Sequence, residues 1–203
     1  MKIYYLDSNK LTEEKLKMLY ENAEDHRKSL YDSSKSSLFR RECISSDALI
    51  KYAVRHSMPK VCGDVKTSYS KKGKLFLKKP SGFISLSHTS GHIFVALDSC
   101  DVGIDAELIR SIDYLKMHKR FFSHLEDLPE DSISFFKSWT AFEAVFKVNS
   151  DFDGGTEFQS NQHTDTVFAV INGIAVSIAS RDRKFDHAFD IADNLVIVSE
   201  EEL

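Results

Sequence analysis

The sequence predicts an α+β fold built from two similar halves, over residues 1–108 and 109–203. Segments with helical apolar spacing are followed by short apolar segments typical of strands, and this order occurs twice along the chain. No low-complexity linker separates the two occurrences. With 203 residues, of which 42% are hydrophobic, the chain can bury a substantial core. We therefore expect two pseudo-symmetric α+β halves packed into one functional unit.

The first half begins with a short aromatic and apolar strand at residues 2–6. A helix is expected next, because Thr12 is a suitable N-cap and apolar residues recur after it at helical spacing. The cations at residues 26–28 suit the C-terminus of that helix. A second helix is predicted over residues 36–56, and Met58-Pro59 ends it.

A basic segment over residues 61–79 leads from these helices into three strands. It is rich in Lys, Ser and Gly, so we expect a surface loop with one short strand at residues 75–77. The three strands that follow are predicted at residues 83–86, 93–97 and 102–104, joined by turns at residues 88–92 and 98–101.

The second half repeats the order of helices and then strands. Helices are predicted over residues 112–122 and from Pro129 to about residue 148, where the acidic first turn suits a helix N-terminus. The remaining elements are a polar loop over residues 150–165, a hairpin with strands at 166–171 and 174–179 around Asn172-Gly173, and final strands at 189–191 and 195–198.

The composition argues against several classes of function. The net charge is −4, so we do not expect a general nucleic-acid-binding protein. Three widely spaced cysteines without a CxxC pair indicate neither a disulfide framework nor a zinc site. The N-terminus lacks the apolar core of a signal peptide, and no apolar run is long enough to cross a membrane. We expect a cytoplasmic globular protein with no membrane partner.

Three carboxylates are the first candidates for chemistry. Asp105 and Glu107 are two residues apart, and on a strand this spacing directs both side chains to the same face. Glu143 follows 38 residues after Asp105, inside a predicted helix. Such oxygens suit Mg²⁺, which takes few protein ligands and keeps positions for water and phosphates. A solvent-exposed acidic strand end without an ion is the alternative that spacing leaves open.

A helix and a turn supply further candidates. Trp139, Glu143 and Lys147 are spaced at four-residue intervals, so they lie on nearly one helix face. Glu143 and Lys147 either form an ordinary helical ion pair or bind a metal and a phosphate, and helical spacing does not distinguish the two. His88 and the hydroxyl of Ser87 can donate to phosphate oxygens. No Gly-x-Ser-x-Gly elbow surrounds Ser87, which argues against a hydrolase triad.

The order of these motifs resembles that of the 4′-phosphopantetheinyl transferases of the larger Sfp type. The family pattern is Gly-Ile/Val-Asp-x-Glu followed by Trp-x-x-Lys-Glu-Ala/Ser-x-x-x-Lys. The resemblance covers about residues 73–147 and rests on the blocks Gly73-Lys74, Ser85–Thr89 (SLSHT), Val102–Glu107 (VGIDAE), Arg120–Glu126 (RFFSHLE) and Trp139–Lys147 (WTAFEAVFK). Taken in sequence, the blocks are far more specific than any one of them.

The resemblance implies two pseudo-symmetric α+β halves with coenzyme A bound at their junction. It implies Mg²⁺ at Asp105, Glu107 and Glu143, with Asp105, Glu143 and Lys147 as the catalytic residues. The implied ligands of coenzyme A are Lys147, His88 and Ser87 at the phosphates with Lys74 nearby, and, by looser alignment, Arg27, Lys28 and Arg41 at the 3′-phosphate or ribose end.

The implied reaction is Mg²⁺-dependent transfer of 4′-phosphopantetheine from coenzyme A to a serine of an apo carrier protein, with release of 3′,5′-ADP. Glu143, directly or through a metal-bound water, would remove the serine proton. The carrier class stays open among the acyl, polyketide and peptidyl carriers. Because the two halves would complete one site, we expect a monomer.

Two residues depart from the family pattern. Phe142 stands where the family nearly always has Lys, with Lys137 as a candidate replacement, and Leu75 stands where Pro is usual. Phe142 supports one alternative, a degenerate member that binds coenzyme A or a carrier protein without catalysis. A structural or interaction protein whose acidic residues bind no ion is the other alternative.

Overall fold

A computed structural model of the chain describes residues 1–60, 63–71, 73–122, 128–149, 164–181, 183–185 and 189–203. This part of the chain is mixed α+β, with five helices and three small sheets. The helices are α1 (Glu13–Glu21), α2 (Asp25–Ser33), α3 (Ser37–Ser57), α4 (Tyr114–Phe121) and α5 (Ser132–Asn149). The strands are β1 (Lys2–Asp7), β2 (Lys66–Tyr69), β3 (Leu75–Lys79), β4 (Phe83–Thr89), β5 (His92–Asp98), β6 (Val102–Leu108), β7 (Asp165–Ile171), β8 (Ile174–Ser180) and β9 (Leu195–Ile197).

Side-chain caps fix where several helices begin. Thr12 accepts a hydrogen bond from the Lys15 amide before α1 at 3.2 Å, which confirms the predicted cap. Ser36 caps α3, Asp113 caps α4, and Asp131 accepts from the Ser134 amide at the start of α5. These oxygens pair with amide groups that have no partner inside the helix.

The strands form a four-stranded, a three-stranded and a two-stranded sheet. Their orders are β4-β5-β1-β9, β6-β8-β7 and β2-β3. The β4–β5, β1–β5, β6–β8, β7–β8 and β2–β3 pairs are antiparallel, whereas β1 and β9 are parallel. β6 therefore pairs with β8 of the second half, and β9 from the second half pairs with β1.

The two larger sheets are covered on their outer sides by helices. Buried residues of α1 and α3 pack against one face of the four-stranded sheet, around Leu6 and Val95. The opposite face, including Phe94, packs against Ile104 and Ile178 of the three-stranded sheet. α4 and α5 pack on the far face of that sheet. The layers are thus helices, sheet, sheet and helices.

The two larger sheets also meet along one edge, where β4 lies beside β6. Hydroxyl groups of β4 accept hydrogen bonds from amides of β6, and each bond spans the same 19 residues, so the strands run parallel. The pairs are Ser85 with Ile104 at 3.0 Å, Ser87 with Ala106 at 3.1 Å, and Thr89 with Leu108 at 3.2 Å. The hydroxyls at every second residue of β4 therefore accept the hydrogen bonds of β6 amides, in place of the backbone carbonyl oxygens of a neighbouring strand.

The absence of a side chain at Gly103 lets α5 lie directly on β6. A Cβ at this position would be 2.0 Å from the carbonyl oxygen of Ala144, far inside contact distance. On the adjacent strand β8, Ser177 contacts Thr140 of α5 through hydroxyl groups 2.7 Å apart. These two contacts fix the height of α5 above the strand that carries Asp105.

Most of the predicted elements are confirmed, with longer strands than expected. α3 and the β7–β8 hairpin match their predicted ranges within two residues. The hairpin turns on Asn172 and Gly173, which both have positive φ, as the Asn-Gly pair predicts. The polar loop predicted over residues 150–165 lies almost entirely outside the described residues.

Four local predictions were wrong. The first helix ends at Glu21, and the cations at residues 26–28 belong to the separate helix α2. The strand β2 was not anticipated, and residues 189–191 form no strand. The turn between β4 and β5 involves Ser90 and Gly91 alone, both with positive φ, so His88 is in a strand. The two-residue turn extends the pairing of both strands.

No helix in the described ranges combines the length and the apolar character needed to cross a bilayer.

Candidate functional site

Asp105 lies at the centre of the predicted site, in the middle of β6. Its side chain is on the same face of the strand as Gly103, toward α5, and the residue is only 7% exposed. Oδ1 accepts hydrogen bonds from Lys147 Nζ at 2.8 Å and from Ser87 Oγ at 3.0 Å. Oδ2 is buried and has no hydrogen-bond partner among the described residues. A buried carboxylate oxygen without a partner is costly, and a bound cation would satisfy it.

Lys147 connects the end of α5 with both edge strands. Besides Asp105, its ammonium group donates to the carbonyl oxygen of Ile104 on β6 at 2.8 Å, and it approaches that of Leu86 on β4 at 3.4 Å. The side chain therefore lies where the two larger sheets meet. It places a positive charge 2.8 Å from the Asp105 carboxylate.

Glu107 and Glu143 complete the acidic cluster. Burial, and then the charge of Asp105, raise the pKa of Glu107, although Arg110 and Lys147 oppose the shift. Burial, and then the charge of Asp105, also raise the pKa of Glu143, with a further contribution from Glu107 and an opposing one from Lys147. The three carboxylates thus repel one another in a partly buried region, which a divalent cation would relieve.

The chemistry of this cluster fits Mg²⁺. The donors are carboxylate oxygens, which this hard cation prefers, and Asp105 offers a buried oxygen without a protein partner. Within the described ranges, no three His, Cys, Asp or Glu side chains are arranged as a ready-made metal site. Asp105, Glu107 and Glu143 are the residues that would hold the ion, beside the ammonium of Lys147.

Ser87 contacts Asp105 rather than lying apart from it. Its hydroxyl donates to Asp105 Oδ1 and accepts from the Ala106 amide, so both functions of the hydroxyl are engaged. This geometry orients the carboxylate. Phosphate binding by the same hydroxyl stays a prediction.

His88 projects from the opposite side of β4. Its Nδ1 lies 3.2 Å from Glu42 Oε2 on α3, and Glu42 also accepts from the Gly91 amide at 2.7 Å. Burial opposes ionisation of Glu42, but the hydrogen bonds from His88 and Gly91 outweigh it and leave the pKa of Glu42 below its ordinary value. The carboxylate thereby fixes the imidazole at the strand end.

Lys74 lies away from the cluster. Its ammonium contacts Asp101 Oδ1 at 2.6 Å and the carbonyl oxygen of Val148 at 3.3 Å, at the start of β6. Four residues along a strand separate Asp101 from Asp105, a distance of roughly 13 Å. The contacts of Lys74 join the β2–β3 sheet to β6 and α5.

The three predicted ligands of the 3′-phosphate end have different surroundings. Lys28 donates to the Glu21 carbonyl oxygen at 2.8 Å, at the end of α1. Arg41 donates to the carbonyl oxygens of Ser8 and Leu11, both at 2.9 Å, and contacts Glu13. Arg27 is 5% exposed and lies over the ring of Tyr69, while its Nε and Nη2 have no hydrogen-bond partner in the described part of the chain.

Phe142 and its candidate substitute are on different sides of α5. Phe142 is 38% exposed and packs edge-on against Phe122 at 5.7 Å. Lys137 Nζ lies 5.9 Å from the ring centre of Phe168 on β7. Lys147 is therefore the helix cation that contacts Asp105.

Sequence reasoning missed the residues that support the cluster. Asp101 pairs with Lys74, Glu42 pairs with His88, and Ser177 opposite Asp105 bonds to Thr140. One signal was available, because hydroxyl residues alternate at positions 85, 87 and 89 at strand spacing. The other partners are distant in sequence and carry no local pattern.

No protein-family model matches this chain, and no curated protein matches it.

Proposed function

We propose that the chain is a Mg²⁺-dependent 4′-phosphopantetheinyl transferase. It transfers the phosphopantetheine group of coenzyme A to a serine of an apo acyl, polyketide or peptidyl carrier protein. The observation that carries the proposal is the cluster around Asp105. Two strands and a helix contribute to it, and it combines three carboxylates, one ammonium group and one buried carboxylate oxygen without a partner.

The proposed cofactor site uses Asp105, Glu107 and Glu143. When bound there, Mg²⁺ would neutralise the negative charge of the coenzyme A diphosphate and stabilise the charge that develops on it. Lys147 would bind a phosphate oxygen, since an ammonium group already held at the junction of β4 and β6 is placed beside the carboxylates. Ser87 would hold Asp105 in position.

Glu143 is the proposed general base. In the chain without a metal ion, burial and the charge of Asp105 raise the pKa of Glu143. Its carboxylate lies in the cluster beside Asp105 and would accept the proton of the serine hydroxyl. The serine oxygen of the carrier would form a bond to the β-phosphorus of coenzyme A as its proton passes to Glu143. The bond between that phosphorus and the bridging oxygen would break, and 3′,5′-ADP would leave.

We also propose that the fold consists of two pseudo-symmetric halves. Each larger sheet has helices on its outer face, which supports two pseudo-symmetric halves. The boundary proposed near residue 108 does not coincide with the sheets, because β6 pairs with β8 and β9 pairs with β1. The candidate site lies where β4 of one sheet meets β6 of the other. Coenzyme A would bind along this junction, in a monomeric, cytoplasmic enzyme.

Intact-mass spectrometry of an apo carrier protein tests the proposal. The carrier is incubated with the chain, coenzyme A and Mg²⁺, and Glu143→Ala and metal-free samples are run in parallel. A mass gain of one phosphopantetheine that both controls abolish is expected. The absence of any gain across acyl, polyketide and peptidyl carriers would contradict the proposal.

One observation favours a second candidate, a member that binds coenzyme A or a carrier without transfer. Phe142 replaces the usual lysine, and Lys137 is directed toward Phe168 instead. In that case coenzyme A raises the melting temperature of the chain, as any ligand specific to the folded state does, while the carrier mass stays unchanged.

A further inference from the structure

α5 carries an apolar stripe that is only partly covered. Phe135, Trp139, Phe142 and Phe146 are spaced by four, three and four residues, which places them along one side of the helix. α4 and the Phe122 that follows it cover part of the stripe. The ring centre of Phe122 lies 6.3 Å from that of Phe135, 6.0 Å from that of Trp139 and 5.7 Å from that of Phe142, and the ring centre of Phe121 lies 4.9 Å from that of Trp139.

The second half of the stripe faces outward. α4 has 8 residues and α5 has 18, so the shorter helix does not extend over the whole stripe. Phe142 is 38% exposed and Phe146 is 47% exposed, and Phe121 at the end of α4 is 40% exposed. Aromatic side chains aligned in this way at the surface are typical of a protein interaction site.

The neighbouring helix supplies only positive charge. Lys116, Lys119 and Arg120 are exposed on α4, and no carboxylate occurs between Tyr114 and Phe122. This cationic surface belongs to a chain whose net charge is −4. Its charge is complementary to an acidic partner.

The stripe is adjacent to the candidate site along the same helix. Phe142 directly precedes Glu143, and Phe146 directly precedes Lys147. A partner seated on the two phenylalanines would therefore lie beside the proposed general base. This places the surface where a large substrate must approach.

We propose that Phe142, Phe146 and the cationic side of α4, called here the docking surface, bind an acidic amphipathic helix of the carrier protein. The proposal rests on the proposed function for the identity of the partner. Two phenylalanines one helical turn apart match the apolar side of a helix, and the cations of α4 match acidic residues along its edge. Phe142 then serves substrate binding, at the position where the family has lysine.

Binding is measured apart from transfer, by titrating an apo acyl carrier protein with an acidic recognition helix into the chain without coenzyme A or Mg²⁺. Phe146→Ser should weaken binding about tenfold, as expected for loss of an aromatic anchor. Lys116→Glu should weaken it about fivefold, and added salt should reduce this difference. The matched controls Phe39→Ser on α3 and Lys17→Glu on α1 should stay within about twofold of the unchanged chain.

Circular dichroism establishes that each variant is folded, and Phe146→Tyr, which retains an aromatic ring, should restore most of the binding. In the transfer assay, the KM for the carrier should rise in Phe146→Ser while the KM for coenzyme A stays constant. Equal losses in Phe146→Ser and Phe39→Ser would overturn the proposal. The proposal would also be overturned if the surface bound anionic vesicles and not the carrier. A dimer of the unchanged chain that is lost in Phe146→Ser would overturn it as well.

The failure of this proposal is distinguishable from the failure of the proposed function. Transfer that proceeds with an unchanged KM for the carrier in Phe146→Ser and Lys116→Glu would overturn the docking surface alone. Carrier binding that depends on Phe146 and Lys116, with no transfer and no binding of coenzyme A, would overturn the function and leave the docking surface standing.

Discussion

Two lysine–aspartate pairs, one just before β6 and one in the middle of it, look alike and differ in what surrounds them. Lys74 Nζ lies 2.6 Å from Asp101 Oδ1, and Lys147 Nζ lies 2.8 Å from Asp105 Oδ1. The first pair is enclosed, with the Lys74 side chain 6% exposed and a second contact to the Val148 carbonyl oxygen. The second pair has a carboxylate oxygen without a hydrogen-bond partner in the described ranges and two further carboxylates close by.

The difference shows why an ion pair does not by itself indicate a site. In the first pair, Lys74 neutralises Asp101 among the described residues, and its contacts join the β2–β3 sheet to β6 and α5. In the second pair, Lys147 and Arg110 together are outnumbered, among the described residues, by Asp105, Glu107 and Glu143. The excess negative charge is what favours an added cation.

Removing the charge of Glu143 should have the largest effect. Glu143→Gln retains the size of the side chain and removes the proposed base, so the transfer rate should fall about 10³-fold. The rate is measured at saturating coenzyme A. Glu130→Gln, on the exposed loop before α5, should leave the rate unchanged. A Glu143→Gln rate close to that of the unchanged chain would remove Glu143 from the mechanism.

Removing each lysine compares the two pairs directly. Lys74→Met leaves Asp101 without its enclosed partner and should lower the free energy of unfolding by about 3 kcal/mol. Lys147→Met should lower the free energy of unfolding by about 1 kcal/mol. Lys147 is more exposed than Lys74, so water already weakens its attraction to Asp105 and less is lost when it is removed. Urea denaturation of both variants gives the two values. The reverse order would contradict a structural role for the Lys74 pair.

The pH dependence of stability tests the crowding at the second pair. Burial and Asp105 raise the pKa of Glu143 in the metal-free chain, so between the ordinary and the raised pKa the folded state binds this proton more strongly than the unfolded state does. Stability from this group is present below the ordinary glutamate pKa and is lost as pH rises through the raised value. Glu143→Gln should therefore be more stable than the unchanged chain at neutral pH, and the gap should close on acidification.

Chemical denaturation at a series of pH values measures that gap, with Glu130→Gln as the control. A gap that does not change with pH would mean that Glu143 is not held near other negative charge.

Removing one of the β4 hydroxyls that accept hydrogen bonds from β6 should have the smallest effect. Ser85→Ala and Ser87→Ala each remove an acceptor for a β6 amide and should lower the free energy of unfolding by about 1 kcal/mol. Only Ser87 also contacts Asp105, so only Ser87→Ala should reduce the rise in melting temperature that Mg²⁺ and coenzyme A produce together. Thermal melts with and without both ligands make the comparison. Equal reductions in the two variants would deny Ser87 its positioning role.

Local patterns in the sequence predicted much of the fold. α3 follows from apolar spacing and the β7–β8 hairpin from Asn172-Gly173, because in both cases the signal lies within the element. The break between α1 and α2 and the strand β2 were missed, since their bounds depend on packing against distant parts of the chain. Propensity is weak where tertiary contacts decide.

The candidate site was predictable for a similar reason, and only in part. The spacing of Asp105 and Glu107 on one strand face, and of Glu143 and Lys147 on one helix face, is a local property. Nothing local indicates that Lys74 contacts Asp101, because that partner is selected by how the β2–β3 sheet packs. Gly103 belongs to the Val102–Glu107 motif. The sequence does not show that a side chain there would collide with α5, because this depends on the position of Ala144.

We propose that the Asp105 cluster holds a divalent cation whereas the Lys74–Asp101 pair is structural. Titration with Mn²⁺ in the presence of coenzyme A, followed by electron paramagnetic resonance, tests it most directly, with Mn²⁺ and coenzyme A alone as the blank. One ion per chain should bind, binding should be lost in Asp105→Asn, and it should persist in folded Asp101→Asn. Equal binding by the unchanged chain and Asp105→Asn would contradict the claim.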